Sequence, residues 1–344
     1  MNRLGSPFWL LLFLGGLILV TSVRFDYLDP EWLQQITGED EFSYTFDNGT
    51  VIEGLPPDVY QYTTAVRYFR GYDLADELRV PFVYRPMLPI LASFLPFDPM
   101  TSLNILNVAF LWGGLIFLWL TMMELRISLN SRIISSALYV FSFPVFYYGA
   151  IGYVDPALVG ILCFGVWQII TGRYKSLLAT IFLGVLIKET VVLLIPVILV
   201  WFIFSSSPSN KMKITWIILY GLAFLLMMFL VRWWSPHSVP HAWLPTLDIL
   251  IANLSRPRTY IAFAITAGVP FFAALIAAWL LRKETLLWPN WLPLIAGLVI
   301  TCALFLYSML SAYSDGRFIW PAYAFTIPLT GFVIDYFLKS RDKL

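Results

Sequence analysis

A small set of ionisable residues has the types and spacing from which transfer chemistry could be built. Asp58 follows Pro56-Pro57 and opens a helical stretch. A carboxylate held there can take a proton from a hydroxyl, and its plain structural use is as a helix N-cap. Asp155, in Gly152-Tyr153-Val154-Asp155-Pro156, carries the same two readings, because Asp at a cap followed by Pro at the first helical position is a favoured pairing. Lys188 and Glu189 interrupt a long apolar stretch. Ionisable residues at bilayer depth are costly and mark functional positions by default; the structural alternative is that Lys188 snorkels outward while Glu189 neutralises it. Arg85, in Tyr84-Arg85-Pro86, and Arg317, in Ser314-Asp315-Gly316-Arg317-Phe318, stand at helix mouths. A guanidinium there can grip a phosphate with two parallel hydrogen bonds.

Other signatures are missing. The chain has no Gly-rich phosphate loop, no His-Glu-x-x-His, no Gly-x-Ser-x-Gly and no Asp-x-Asp for the metal of a nucleotide sugar. Its two histidines, His237 and His241, are four apart, but Pro236 and Pro240 prevent a regular helix through them, and zinc needs further ligands. Asn48-Gly49-Thr50 and Asn253-Leu254-Ser255 match the glycosylation sequon, which has meaning only in a secretory-pathway host. Cys163 and Cys302 sit inside apolar runs, so neither a disulfide framework nor a thiolate metal site is implied.

The elements that hold these residues are membrane elements. Of 344 residues, 59% are hydrophobic, 17% aromatic and only 12% charged, and the mean hydropathy is +0.77. A soluble domain is about one quarter charged, and a disordered chain has few aromatics; neither describes this composition. A net charge of +1 gives no basic face for nucleic acid. We expect an all-α, polytopic protein forming a single integral-membrane domain over residues 1–344.

Spanning the bilayer as a helix takes roughly 17–25 apolar residues. Such segments are Pro7–Val23, Leu103–Met123, Ile133–Gly149, Pro156–Thr171, Ile214–Val231, Ile261–Leu281, Trp291–Leu310 and Ala322–Leu338. The first reads as an uncleaved anchor, with a signal peptide cleaved near Val20-Thr21-Ser22 as the alternative. Ser176–Phe204 is too long for one comfortable span and too short for two. Either it is a shortened re-entrant hairpin with Lys188 and Glu189 at its tip, or it is one long tilted helix. Charge favours the hairpin. It places Lys211, Lys213, Arg282, Lys283, Lys339, Arg341 and Lys343 inside and leaves only Arg232, Arg256, Arg258 and Arg317 outside downstream of Phe204. The result is about ten membrane helices with both termini cytoplasmic. All acidic residues except Glu124, Glu284, Asp335 and Asp342 then face the periplasm, exterior or ER lumen.

The first outer loop, residues 24–86, is the one sizeable extramembrane piece. Val59, Tyr62, Val66 and Phe69 recur at helical spacing beside Arg67 and Arg70, which predicts a helix lying in the interface and ending at Gly71. The loop Arg232–Tyr260 is rich in Trp and Pro, as in an interfacial aromatic belt. No internal repeat is visible, whereas many secondary transporters are built from repeats.

The run Pro57-Asp58-x-Tyr60-x-Tyr62…Ala65…Arg67, then Gly71 and Tyr84-Arg85-Pro86, resembles the first outer loop of the GT-C glycosyltransferases. These are integral-membrane enzymes that use polyprenyl-phosphate sugars, among them the aminoarabinose transferases and protein O-mannosyltransferases. Asp155-Pro156, Gly184…Lys188-Glu189…Pro196 and Gly316-Arg317-Phe318…Pro321 are similar to further short motifs of these families, in the same order. The position after Asp58 is Val59 where a second acid could complete a metal-binding pair.

The resemblance implies an inverting transfer of a hexosyl or pentosyl group on the outer face, with a lipid, glycan or protein as acceptor. Asp58 would be the base or a metal ligand and Asp155 a second catalytic carboxylate. Arg85, Lys188 and Arg317 would hold the donor phosphate, with Glu189, Tyr62 and Asp315 in support. A divalent cation is left open, and no nucleotide cofactor is expected. The chemistry suits the residues: the leaving group is an anion on a lipid tail, so cations must stand at the interface among apolar helices. The alternatives are a transporter or flippase for a lipid-linked or amphipathic solute, which would need the cations but not Asp58, and a glycan polymerase or ligase of another fold.

Overall fold

A computed structural model describes residues 5–26, 44–45, 51–52, 57–205, 208–236, 244–282, 288–311 and 316–341. Among the described residues the regular structure is helical, apart from a short antiparallel ladder in which Tyr44–Thr45 (β1) pairs with Val51–Ile52 (β2). Helix α1 (Gly5–Asp26) leads to the first loop, which carries α2 (Pro57–Phe69) and α3 (Met87–Ser93). The body follows as α4 (Pro99–Glu124), α5 (Leu129–Val140), α6 (Phe143–Tyr148), α7 (Asp155–Ile170), α8 (Tyr174–Gly184) and α9 (Leu194–Phe204). It is completed by α10 (Asn210–Trp234), α11 (Leu247–Ser255), α12 (Pro257–Leu281), α13 (Trp288–Ser311) and α14 (Tyr323–Arg341).

Among the described residues, six helical segments are long and apolar enough to cross a membrane: Pro7–Arg24, Pro99–Glu124, Asn210–Trp234, Pro257–Leu281, Trp291–Ser311 and Gly316–Ser340. The protein is a polytopic helical membrane protein. Asp155–Ile170, Tyr174–Gly184 and Glu189–Phe204 are shorter apolar helices.

Side-chain packing joins the body, because lipid tails are as apolar as the side chains and give no hydrophobic drive between helices. Helices α4 and α7 run parallel along their length, with the Phe117 and Phe164 rings 4.4 Å apart; aromatic pairs of this kind contribute about 0.5–1.5 kcal/mol each. Helix α14 is the most enclosed, with Ala324, Phe325, Thr326, Ile327, Leu329 and Thr330 all buried. Helix α10 is peripheral and leaves Leu222, Leu225, Leu226 and Phe229 exposed.

The stretch Ser176–Phe204 is not one long helix. The backbone leaves the helix after Gly184, is extended at Lys188 (φ −167°, ψ 135°) and resumes as a 3-10 turn over Glu189–Leu193. The chain also reverses there. Tyr174 at the start of α8 lies 5.2 Å, ring to ring, from Phe202 at the end of α9, while Val185 and Glu189 share a cleft with Arg232 at the far end of α10.

The segment Ile133–Gly149 is likewise divided. Helix α5 stops at Val140, and α6 starts at Phe143 with Pro144 in its first turn. Proline lacks the N–H that would bond back into α5, and it pushes the preceding residue away from helical geometry. A third interruption lies in α12 at Gly268-Val269-Pro270. Pro270 leaves the carbonyl of Thr266 without its helical donor, and the Tyr323 hydroxyl donates to that carbonyl instead at 2.9 Å.

Helix α2 forms where the sequence predicts it. Val59, Tyr62, Ala65 and Val66 are buried, and Gln61, Thr63 and Thr64 with them, so its apolar stripe packs against protein. Phe69 stacks on Trp234 of α10, with centroids 6.1 Å apart. Arg70 donates to the carbonyls of Leu95 and Phe97 at 2.9 and 2.6 Å, clamping the chain that leaves α3.

Candidate active site

Five separate stretches of chain meet at one end of the body. Asp58 stands in the first turn of α2 and Arg85 follows the 3-10 turn Phe82–Tyr84. Asp155 opens α7, Lys188 and Glu189 form the turn between α8 and α9, and Arg317 lies in the 3-10 turn Gly316–Phe318 before α14. Their charges pair across the molecule. Lys188 Nζ donates to Asp155 Oδ1 at 2.6 Å, and these two side chains are only 9% and 3% exposed. Arg85 forks onto Glu189 through Nε (3.0 Å) and Nη2 (2.5 Å). Arg317 Nη1 donates to Asp58 Oδ2. Three cations face three carboxylates, and the cluster is neutral.

Aromatic groups complete it. Arg85 Nη1 donates to the Tyr62 hydroxyl at 3.0 Å, and Tyr62 meets Phe82 edge to face at 5.7 Å. The Arg317 guanidinium lies 4.8 Å from the centroid of Tyr153 and 5.5 Å from that of Phe318. Burial raises the Tyr62 pKa, with Arg85 opposing and Asp58 adding to the rise, so the phenol stays protonated. For Arg85, burial disfavours the charge, but Glu189 and then Tyr62 outweigh it and hold its pKa well above the ordinary arginine value.

The elements explain the placement. Gly152 has φ +78°, a left-handed conformation that any Cβ would strain. Its N–H donates to Asn104 Oδ1 at 2.9 Å, and Asn107 Nδ2 donates to the Tyr153 carbonyl at 2.8 Å. Two asparagines of α4 thus fix the turn that presents Tyr153 and Asp155. Arg317 is placed by close approach: Gly316 sits so near Thr266 and the Ala262 carbonyl on the kinked half of α12 that a Cβ would collide with both.

Several sequence expectations change here. The residue capping α7 is Val154, not Asp155, which occupies the first helical position and spends its carboxylate on Lys188. Lys188 and Glu189 do not pair with each other, because successive residues at the tip diverge to Asp155 and Arg85. Lys188 is buried rather than snorkelling outward. Asn253 of the second sequon is buried, and its amide nitrogen donates to the Met309 carbonyl at 2.8 Å. Asp315, His237, His241 and the sequon at Asn48 lie outside the described residues.

Asn104, Asn107, Tyr153 and Arg232 were not singled out for the site from sequence. The two asparagines carried a signal, as polar residues within the long apolar run of α4. Among the described residues, no three His, Cys, Asp or Glu side chains converge as a metal site, and Asp58 has a guanidinium rather than a second acid beside it. Compared with known proteins, the chain matches no family model and no curated protein.

Proposed function

We propose that this protein is a membrane glycosyltransferase that moves a sugar from a polyprenyl-phosphate donor to an acceptor hydroxyl at the outer face of the membrane. The observation that carries the reading is the convergence of Asp58, Arg85, Asp155, Lys188, Glu189 and Arg317 from segments as much as 259 positions apart. Burying Arg85, Asp155 and Lys188 among apolar helices costs several kcal/mol per ion before pairing offsets it, a cost that a purely structural end of a bundle has no need to bear.

In the proposed reaction the acceptor oxygen attacks the anomeric carbon and the bond from that carbon to the phosphate oxygen breaks. The acceptor proton passes to the Asp58 carboxylate, and the lipid phosphate leaves with the bonding electron pair. Arg317 and Lys188 stabilise the charge that develops on the phosphate. A phosphate that takes the Arg317 fork also releases Asp58 from its partner, so donor binding frees the base. Tyr153, beneath the guanidinium, keeps the fork oriented while the partner changes. Asp155 and Glu189 hold Lys188 and Arg85 in position.

The proposed topology counts α5 with α6 as one broken pass and α8 and α9 as two short ones, giving ten passes. Both termini are then cytoplasmic and the cluster is outside. The reversal at Lys188 supports this count, because it keeps the basic loops on one side. Labelling single cysteines with an impermeant reagent tests it: labelling at Ser207 in intact cells would overturn the topology.

A flippase or transporter of an amphipathic anion is the second reading, favoured by the complete pairing of the three cations, since partner exchange can gate a site. The deciding experiment supplies purified protein with a radiolabelled polyprenyl-phosphate sugar and a membrane extract. Labelled acceptor product is expected, and donor that only changes leaflet would support the second reading.

A further inference from the structure

Arg232 differs from the cations of the cluster. Arg85, Lys188 and Arg317 each meet a carboxylate, whereas Arg232 has none within ion-pair distance among the described residues. Its guanidinium lies 5.6 Å from the centroid of the Tyr84 ring, which holds it without neutralising it. It borders a cleft of about 210 Å³ between the turn after Pro81, the hairpin tip and the outer end of α10, with Arg85 and Glu189 at the opposite wall. That volume equals about seven waters at bulk density, enough for a phosphate head and the first carbons of a chain.

Val185, Met228 and Val231 supply an apolar wall, and Tyr307 completes the lining. Beside this lining face, α10 carries its exposed stripe of Leu222, Leu225, Leu226 and Phe229. A ligand with its anion at Arg232 can therefore lay an apolar tail along a helix that already faces lipid. A free anion would use the charge and leave the stripe idle. One phosphate head on one apolar chain is also the ligand that the donor reading calls for.

We propose that this cleft is a docking subsite for the phosphate head of a single-chain lipid phosphate, with Arg232 as the cation that receives it. The inference rests on the reading of a lipid-phosphate donor and deepens it: the donor first meets a cleft cation that pairs with no carboxylate among the described residues. Arg85 and Glu189 line the same cleft and belong to the cluster, so the subsite borders the cluster directly.

The test measures binding of geranylgeranyl monophosphate to the full-length protein by native mass spectrometry from detergent, with geranylgeraniol and inorganic phosphate as separate arms. Wild type should retain the monophosphate and neither control. Arg232→Gln should weaken retention about ten- to a hundredfold, the range for a charged hydrogen-bonded contact, and Arg232→Lys should restore part of it. Arg79→Gln removes an exposed first-loop charge that does not line the cleft and should leave retention unchanged, and melting temperature should be unchanged in every variant. Unchanged retention in Arg232→Gln would overturn the subsite, as would an equal loss in Arg79→Gln or equal retention of inorganic phosphate. Sugar transfer by wild type is followed in parallel. Transfer that persists while Arg232→Gln binds normally removes the subsite alone, whereas a wild type that neither binds nor transfers removes the donor reading as well.

Discussion

Two ends of the helical body each bury carboxylates beside cations, and they do so differently. At the candidate site every pair joins side chains remote in sequence, and both members of the Lys188–Asp155 pair are enclosed. Near the C-terminal end of α14, Asp335 accepts from the Ser128 N–H at 3.2 Å and the Ser131 hydroxyl at 3.3 Å, capping the start of α5. Its cation, Lys339, lies one turn away on the same helix and is 64% exposed. Asp335 thus satisfies a backbone N–H that a helix start leaves open together with a nearby hydroxyl, and its lysine can stay in water. The carboxylates of the cluster instead hold cations out of water. Capping has a local structural reason; collecting three cations and three acids in one place does not.

The largest expected effect separates the two acids by activity. Asp58→Asn should lower sugar transfer about 10²- to 10⁴-fold, the usual contribution of a positioned general base, while Asp335→Asn leaves the rate near wild type. Initial rates with labelled donor measure both, and equal losses would erase the functional distinction. Next comes stability. Lys188→Met strands the Asp155 carboxylate and should cost about 3–5 kcal/mol, as breaking one side of a buried pair does. The pairing partner identifies the proper control: Lys188→Met/Asp155→Asn should regain most of the melting temperature, and Lys188→Met/Glu189→Gln should not. Equal recovery by both would place Lys188 against Glu189 after all.

A smaller effect is expected at Arg317. Arg317→Lys keeps the charge but loses the planar fork, so apparent donor affinity should fall about tenfold, the equivalent of one charge-assisted hydrogen bond, with acceptor affinity unchanged. A loss confined to the acceptor would remove the phosphate role. Smallest is the far end. Asp335→Ala should cost about 1 kcal/mol, typical of a lost cap, and Lys339→Met no more than about 0.5 kcal/mol, as for an exposed pair one turn apart. A Lys339→Met cost matching that of Lys188→Met would break the comparison between the ends.

The fold was partly legible in the chain. Uninterrupted apolar runs located α1, α4, α10, α12 and α13, because length and apolarity are local properties that the bilayer reads directly. The reversal at Lys188-Glu189 was legible as a charge interruption combined with the distribution of basic residues. The division of Ile133–Gly149 was carried by Pro144, whose effect on its neighbours the apolar count passes over. Asp155 stayed open between cap and functional carboxylate because Asp followed by Pro carries the same local signal whether the carboxylate turns to its own helix or to a lysine 33 residues away.

What the sequence determined by itself was the solvent of this protein, most of its helices, and the set of polar residues too expensive to be incidental. It did not determine who pairs with whom. Separations of 33, 104 and 259 residues divide the partners of the three ion pairs, and no periodicity spans such distances. Those pairings follow from helix packing: the kinked α12 receives Gly316 and so sets Arg317, Asn104 and Asn107 set the turn before Asp155, and the broken hairpin turns Lys188 and Glu189 to opposite partners. Arg232 shows the same division most sharply, since its charge is written in the chain while its lack of a counter-ion among the described residues depends on where the carboxylates around it have gone. Charge is a property of a residue, but neutralisation is a property of its neighbours in space, and only the tertiary structure chooses those.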